Sequence, residues 1–156
     1  MEKQFDIYRN ACAESGTEPD IVFLHAVYVD EDESRIAGEA GEALKGFLVN
    51  NAGPTRDMPD EEELKATGFG FYASGILESL AEKTWEEMTG EGIVWAGTPQ
   101  RIIDYIKEVQ SEIEGLTAIA IVPNFGGLEH WKSIKTLQLF ADEVAPYFQS
   151  REPLSA

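Results

Sequence analysis

Apolar residues form three short runs along the chain. Two of them, Ile21–Val29 and Leu116–Val122, are almost continuously apolar and rich in β-branched side chains. Such runs are typical of strands that are covered on both faces in a parallel sheet. A shorter run at Ile93–Ala96 predicts a third strand.

Four other segments carry apolar residues every three to four positions, which predicts amphipathic helices. They are Phe5–Ser15, a helix from about Ser34 to Leu48, a helix beginning at Pro99, and a helix from about Glu129 to Phe148. The predicted order is helix, strand, helix, insertion, strand, helix, strand, helix. Because all three strands share one connection sense, the pattern predicts an α/β fold with a parallel sheet.

The stretch Thr55–Gly92 does not follow this alternation and is interpreted as an insertion. It holds an acidic turn at Asp60–Glu63 and helical pieces near Ile76–Leu80 and Trp85–Met88. Long irregular insertions are usually functional or disordered, and this one is aromatic, which favours a packed lid. The aromatic residues are Phe69, Phe71, Tyr72 and Trp85.

Length and charge narrow the class of protein. The 156 residues fit a single domain, residues 1–156. The net charge of -17 disfavours nucleic acid and anionic membranes as partners. The longest purely apolar run, Ala118–Val122, is too short to span a bilayer. The N-terminal residues Met1–Asp6 lack the apolar region of a signal peptide, so we expect a cytoplasmic protein.

Two turns that follow predicted strands are candidate ligand contacts. Gly97-Thr98-Pro99 could lie near a cofactor phosphate, but Thr98 as N-cap and Pro99 as first helical residue explain it equally well. In Asn124-Phe125-Gly126-Gly127 the glycines would let the backbone approach a flat ring, on which Phe125 could stack. The alternative there is a tight strand-to-helix turn.

The remaining candidates favour structural roles. His25 is interpreted as a satisfied core histidine, His130 as a packing or solvent-facing residue that could also donate to a ligand, and Cys12 as a small hydrophobic residue. No metal-ligand spacing occurs, so no metal site is predicted.

Two further patterns carry no chemistry. Gly68–Ala73 has the letters of a dinucleotide fingerprint but follows no strand, so that reading is rejected. The acidic runs Asp30–Glu33 and Asp60–Glu63 are interpreted as solvated helix starts, and no catalytic acid–base pair is assigned.

Taken together, several motifs resemble the luciferase-like monooxygenases. They are Gly97-Thr98-Pro99, the Asn124–Gly127 loop, the helix segment Leu137–Val144 (LQLFADEV), and the earlier segments Tyr8–Cys12 and Val27–Asp30. The resemblance covers the whole chain and matches the carboxyl-terminal three units of that family's barrel. It implies a partial TIM (β/α)8 barrel of about three parallel β/α units with a helical insertion at about 55–92.

The resemblance further implies a flavin site, with FMN or the deazaflavin F420 as cofactor and a small molecule as substrate. Its expected contacts are Asn124, Phe125, Gly126, Gly97 and Thr98. Because the family's amino-terminal half has no counterpart here, we expect a homo-oligomer or a partner chain to complete the barrel. The alternative is a non-catalytic subunit or interaction module that pairs with a longer homologue.

Overall fold

Three parallel strands form the centre of the computed structural model, which describes residues 2–52, 61–66, 79–80 and 82–149. They are β1 (Ile21–Val29), β2 (Trp95–Gly97) and β3 (Leu116–Val122). Both long strands have the predicted bounds, and the predicted parallel α/β arrangement is confirmed. The short strand begins two residues later than predicted, because Ile93 still closes the preceding helical turn by donating to the carbonyl of Met88.

The strand order is β2-β1-β3, with the longest and most apolar strand in the middle. Residues Val27–Val29 of β1 pair with β2, and residues Ile21–Ala26 pair with β3. Consecutive units of a closed barrel would place each strand beside the next one in sequence. The observed order therefore differs from the one expected for three consecutive barrel strands.

Helices alternate with the strands in the predicted order. They are α1 (Glu2–Ser15), α2 (Glu33–Ala52), α3 (Glu61–Ala66), α4 (Trp85–Gly90), α5 (Pro99–Glu112), α6 (His130–Leu139) and α7 (Ala145–Phe148), with a π-helical segment at Phe140–Val144 between the last two. The widened turn precedes Pro146, which has no N–H to continue the α-helical ladder. The predicted single helix Glu129–Phe148 is thus interrupted.

Alternate side chains of β1 enter two different hydrophobic clusters. Tyr28 packs with Ala96 of β2 and the apolar stripe of α2 on one face. Val27 and Val29 pack with Trp95 and with α5 on the other face. Helices therefore cover both faces of the sheet at the carboxyl end of β1, which agrees with the prediction of a strand buried on both sides.

Side chains in the amino-terminal half of one face of β1 are largely exposed, against that prediction. Val22 and Leu24 of β1 remain 57% and 65% exposed, and both belong to the face that α2 covers further along. Their neighbours in the register are Ala118 and Ala120 of β3. We call these four residues the open face.

The predicted insertion lies largely outside the described residues, including Phe69, Phe71, Tyr72 and most of the helical piece near Ile76–Leu80. Where it is described, α4 confirms the helical piece at Trp85–Met88. Helix α3 begins at Glu61 within the acidic run Asp60–Glu63, which agrees with the interpretation of that run as a helix start. Trp85 is half-buried against the core cluster of α2, as expected of a packed segment.

Candidate functional site

A buried ion pair stands at the carboxyl end of β1. Asp30 directly follows the strand and is fully buried, and the Nζ atom of Lys135 donates to its Oδ2 atom at 2.7 Å. Its Oδ1 atom accepts from the backbone N–H of Asp32 at 2.9 Å. Burial alone would raise the pKa of Asp30, but the hydrogen bonds from Lys135 and Asp32 outweigh it and hold the pKa below its ordinary value. Asp30 is therefore a charged group inside the fold, and its interpretation as a solvated helix start was wrong.

Tyr28, Glu39 and Arg35 form a second polar chain beside this pair. The hydroxyl of buried Tyr28 donates to Glu39 Oε2 at 2.6 Å, and Arg35 Nε donates to Glu39 Oε1 at 2.8 Å. Burial and the Glu39 carboxylate raise the pKa of Tyr28 above its ordinary value. The Tyr28 and Arg35 hydrogen bonds lower the pKa of Glu39. We call Tyr28, Asp30, Arg35, Glu39 and Lys135 the carboxyl-edge cluster.

Helix α6 brings its side chains onto the end of β1. The hydroxyl of Thr136 accepts from the backbone N–H of Val29 at 3.2 Å, next to the Lys135 contact. Ser133 is also buried, and its hydroxyl has no hydrogen-bond partner among the described residues. The cluster therefore draws on three elements: the carboxyl end of β1, helix α2 with Arg35 and Glu39, and helix α6 with Lys135.

The position of this cluster matches the usual place of ligands in open α/β sheets. Ligands bind there outside the carboxyl ends of the strands, where the strand order changes direction. In the order β2-β1-β3 the carboxyl end of β1 lies between those of its neighbours. The arrangement offers fixed charges, among them the ammonium group of Lys135, whose side chain is 26% exposed.

The turn at Gly97 is part of this edge, and its geometry is that of a helix cap. The backbone carbonyl of Gly97 accepts from the N–H of Asp30 at 3.2 Å. The Thr98 hydroxyl accepts from the N–H of Arg101 at 3.4 Å as N-cap of α5, with Pro99 in the first turn. Capping accounts for the turn, and cofactor contacts at Gly97 and Thr98 stay a prediction.

The Asn124–Gly127 loop is mostly occupied with packing. The Phe125 ring is 2% exposed and lies in the same core cluster as Tyr28. Gly126 has a φ of 58° and fits closely against α2, where a Cβ atom would lie 1.6 Å from the carbonyl oxygen of Ala43. Gly126 thus allows the backbone to approach α2 closely, whereas the prediction was a close approach to a cofactor ring. Of the predicted cofactor contacts in this loop, Asn124 alone is exposed.

Among the described residues, a cavity of about 170 Å³ opens near the carboxyl end of β2. Its lining includes Glu33, Trp85, Ala96, Arg101 and Tyr105. Larger cavities, of about 410 and 560 Å³, are lined by α5 with β3 and by α1 with α5. Pockets for cofactor-sized ligands usually measure ~300–1000 Å³. The cavity near β2 is therefore too small to hold a cofactor by itself.

The two histidines and the cysteine are placed differently. His130 is exposed and Cys12 is buried, each within its predicted range of roles. The His25 ring stacks on Phe23 and is tilted against Trp95, with ring centroids 5.5 and 4.6 Å away. Its Nε2 atom is buried without a hydrogen-bond partner in the described part of the chain, so it is not the satisfied core histidine that was predicted. Within the described ranges, no three metal-ligating side chains are grouped.

Acidification should destabilise the protein through His25. Burial lowers the pKa of His25 below its ordinary 6.5, although a backbone contact to Gly92 opposes this shift. Below pH 6.5 the unfolded chain binds the proton more readily, so stability falls until the pH reaches the lowered folded-state value. Urea unfolding at pH 7.5 and 5.5 should show this loss, at up to about 1.4 kcal/mol per pH unit in that window.

A pair of variants isolates the histidine from the carboxylates. H25F keeps an aromatic ring beside Trp95 and should lose less stability than the wild type over the same pH interval. H130F replaces the exposed histidine and should behave as the wild type does. An equal pH dependence in wild type and H25F would show that His25 is not responsible.

The buried ion pair that the sequence did not predict joins two residues that are distant in sequence. Asp30 and Lys135 are 105 positions apart. The signal that pointed toward them was the place of Asp30, immediately after a buried strand. Nothing in the periodicity of the last helix distinguishes Lys135 from a solvated lysine.

These features define an α/β protein with polar and charged groups at the carboxyl ends of a small parallel sheet. No protein-family model and no curated protein matches the chain. The crystal structure of monooxygenase RslO1 from Streptomyces bottropensis has a similar fold, with a TM-score of 0.63 and 20% sequence identity. The similarity covers 94% of this chain and 37% of that chain. A monooxygenase is thus a fold neighbour of this protein, and this chain spans little more than a third of it.

No helix in the described part of the chain is long and apolar enough to cross a membrane.

Proposed function

We propose that this chain is a segment of a luciferase-like, flavin- or F420-dependent monooxygenase or oxidoreductase and contributes part of its cofactor and substrate site. The observation that carries the proposal is the fold similarity of 94% of the chain to a monooxygenase. The charged cluster at the carboxyl edge supports it, because active sites of such sheets lie at that edge. In this proposal the segment is an α/β part of a longer protein, although its strand order β2-β1-β3 is not the one expected for three consecutive barrel strands.

The described residues could form one side of a cofactor site but not a whole pocket. Asn124 is exposed, and Lys135 is held by Asp30 while its side chain stays partly exposed. The Phe125 ring, in contrast, lies in the core and offers no stacking surface. The remaining walls of the site would come from a partner chain, a second copy or further β/α units.

A bound reduced flavin or deazaflavin would supply the electrons, either to oxygen or as a hydride. The residues of this chain would bind and orient. Lys135 would donate a charge-assisted hydrogen bond to an anionic group, since one of its donors already fixes it on Asp30. Asn124 would donate or accept at the rim. The buried Tyr28–Glu39 pair would keep the wall beneath them rigid.

A cofactor titration tests the proposal. FMN and F420 are titrated into the purified chain, alone and with the product of the adjacent upstream reading frame where that frame encodes β/α units. N124A should weaken cofactor binding about tenfold, the value of one hydrogen bond. N10A, which removes an exposed asparagine from α1, is the matched control and should bind normally. Absence of binding under every condition would rule out the enzyme segment.

The second candidate function is a non-catalytic subunit that keeps the α/β core as a scaffold. The packing of Phe125 and Gly126 favours it, because residues expected at the cofactor serve the core instead. Under this reading the chain binds a longer homologue, and neither chain's cofactor affinity depends on Asn124. The same titration therefore separates the two functions.

A further inference from the structure

The open face is an uncharged apolar surface on a strongly acidic protein. Val22 and Leu24 are more than half exposed although they belong to a strand whose sequence is typical of burial on both faces. None of the four open-face residues is charged, whereas the chain carries a net charge of -17. Contiguous apolar surface of this kind marks an interaction site more often than an ordinary exterior.

The open face consists of two columns of side chains that differ in size, one on β1 and one on β3. In the register of the sheet Val22 lies beside Ala118, and Leu24 lies beside Ala120. One column therefore consists of large side chains and the next of methyl groups. A two-fold axis parallel to the strands and midway between β1 and β3 would place the large column of one copy over the small column of the other. Such a surface is complementary to itself, which is the requirement for an isologous interface.

We infer that the open face binds the open face of a second copy of this chain. The two sheets would stack ~10 Å apart, with Val22 and Leu24 of each copy over Ala118 and Ala120 of its partner. A second copy is favoured over an unrelated protein because the surface supplies both halves of the fit. The lack of charge on the open face also favours a second copy, because two acidic chains repel each other least where no like charges face each other.

Sedimentation equilibrium of the full chain over ~1 to ~100 µM tests the inference. The wild type should show a monomer–dimer equilibrium that tightens as NaCl rises, because salt screens the repulsion between two chains of charge -17. L24K should weaken association at least about tenfold by placing a charge in the centre of the interface. This substitution makes the chain less acidic, so a rise in the repulsion between the net charges of the two copies cannot explain the loss.

I7K is the matched control. Ile7 is 70% exposed on α1, outside the open face, and its replacement by lysine makes the same chemical change there. Its dimerisation should equal that of the wild type. Circular dichroism and thermal unfolding confirm that both variants fold.

A118L distinguishes a specific fit between the two open faces from nonspecific hydrophobic association. Filling the small column should weaken the dimer about tenfold through overpacking, even though it adds apolar surface. Nonspecific hydrophobic association would instead be strengthened. A monomeric wild type at every concentration and salt level, a dimer insensitive to L24K, or a tighter dimer in A118L would each overturn the inference. None of these results depends on cofactor binding, so the flavin proposal stands or falls separately.

Discussion

K135M is expected to lower the free energy of unfolding by about 3–5 kcal/mol at pH 7, which is the cost of removing one partner from a buried ion pair. The reason is that Asp30 is fully buried and Lys135 is its cationic partner, at 2.7 Å. Methionine keeps the aliphatic stem and removes the charge. Urea unfolding followed by circular dichroism measures the change.

The pH dependence gives the same prediction a second readout. In the wild type the pKa of Asp30 is held low, so its contribution to stability is present above the unfolded value and is lost as the pH falls through the folded value. Without Lys135, burial is opposed only by the Asp32 hydrogen bond and the Arg35 charge, so we expect the pKa of Asp30 to rise. The stability difference between wild type and K135M should therefore shrink as the pH is lowered from 7 to 4.

Two controls accompany K135M. D30N/K135M removes both charges and should recover most of the lost stability. K107M removes an exposed lysine whose Nζ atom lies 4.4 Å from the centre of the Tyr147 ring, and it should cost less than about 1 kcal/mol. If K107M and K135M were equally destabilised, the buried pair would have no special role.

G126A is expected to destabilise the protein by at least about 3 kcal/mol, because two costs combine at one position. Gly126 has a φ of 58°, which alanine adopts with strain, and the added Cβ atom would lie 1.6 Å from the carbonyl oxygen of Ala43. The carbonyl belongs to the backbone of α2, so it cannot be relieved by a change of rotamer. Denaturant unfolding measures this loss.

Gly127 provides the control for G126A within the same loop. It has a φ of 81° and open space where a Cβ atom would stand. G127A should therefore cost only the strain of the backbone conformation, about 1 kcal/mol. Equal losses in both variants would mean that the contact with α2 contributes nothing.

The long strands could be predicted from the sequence because their signal is local. The apolar runs Ile21–Val29 and Leu116–Val122 begin and end where the strands do. The helix that starts at Pro99 was equally clear, since its cap and first-turn proline are adjacent residues. The sheet order was not predictable in this way, because it depends on which strands meet across long connections.

The candidate site depends even more on distant contacts. The charge on Asp30 is stabilised by a lysine from the last helix, and the Phe125 ring packs with Tyr28 from the first strand. A turn with two glycines and an aromatic residue has the composition of a ligand loop and of a packing loop alike. The sequence carries no local signal that separates them, so the ligand role of Asn124–Gly127 stays a prediction.

The central position of β1 also bears on how the chain reaches its fold. Each of its pairings joins segments far apart in sequence: Thr117 donates to the carbonyl of Ile21 across 96 positions, and β2 pairs with Val27–Val29 across the whole insertion. Proteins dominated by such contacts fold slowly, because long loops must close before strands can pair. Because β1 precedes β2 and β3 in sequence, it is synthesised before the two strands with which it pairs. We expect refolding on the slow side for a domain of this size, with β1 as the segment most in need of protection by chaperones.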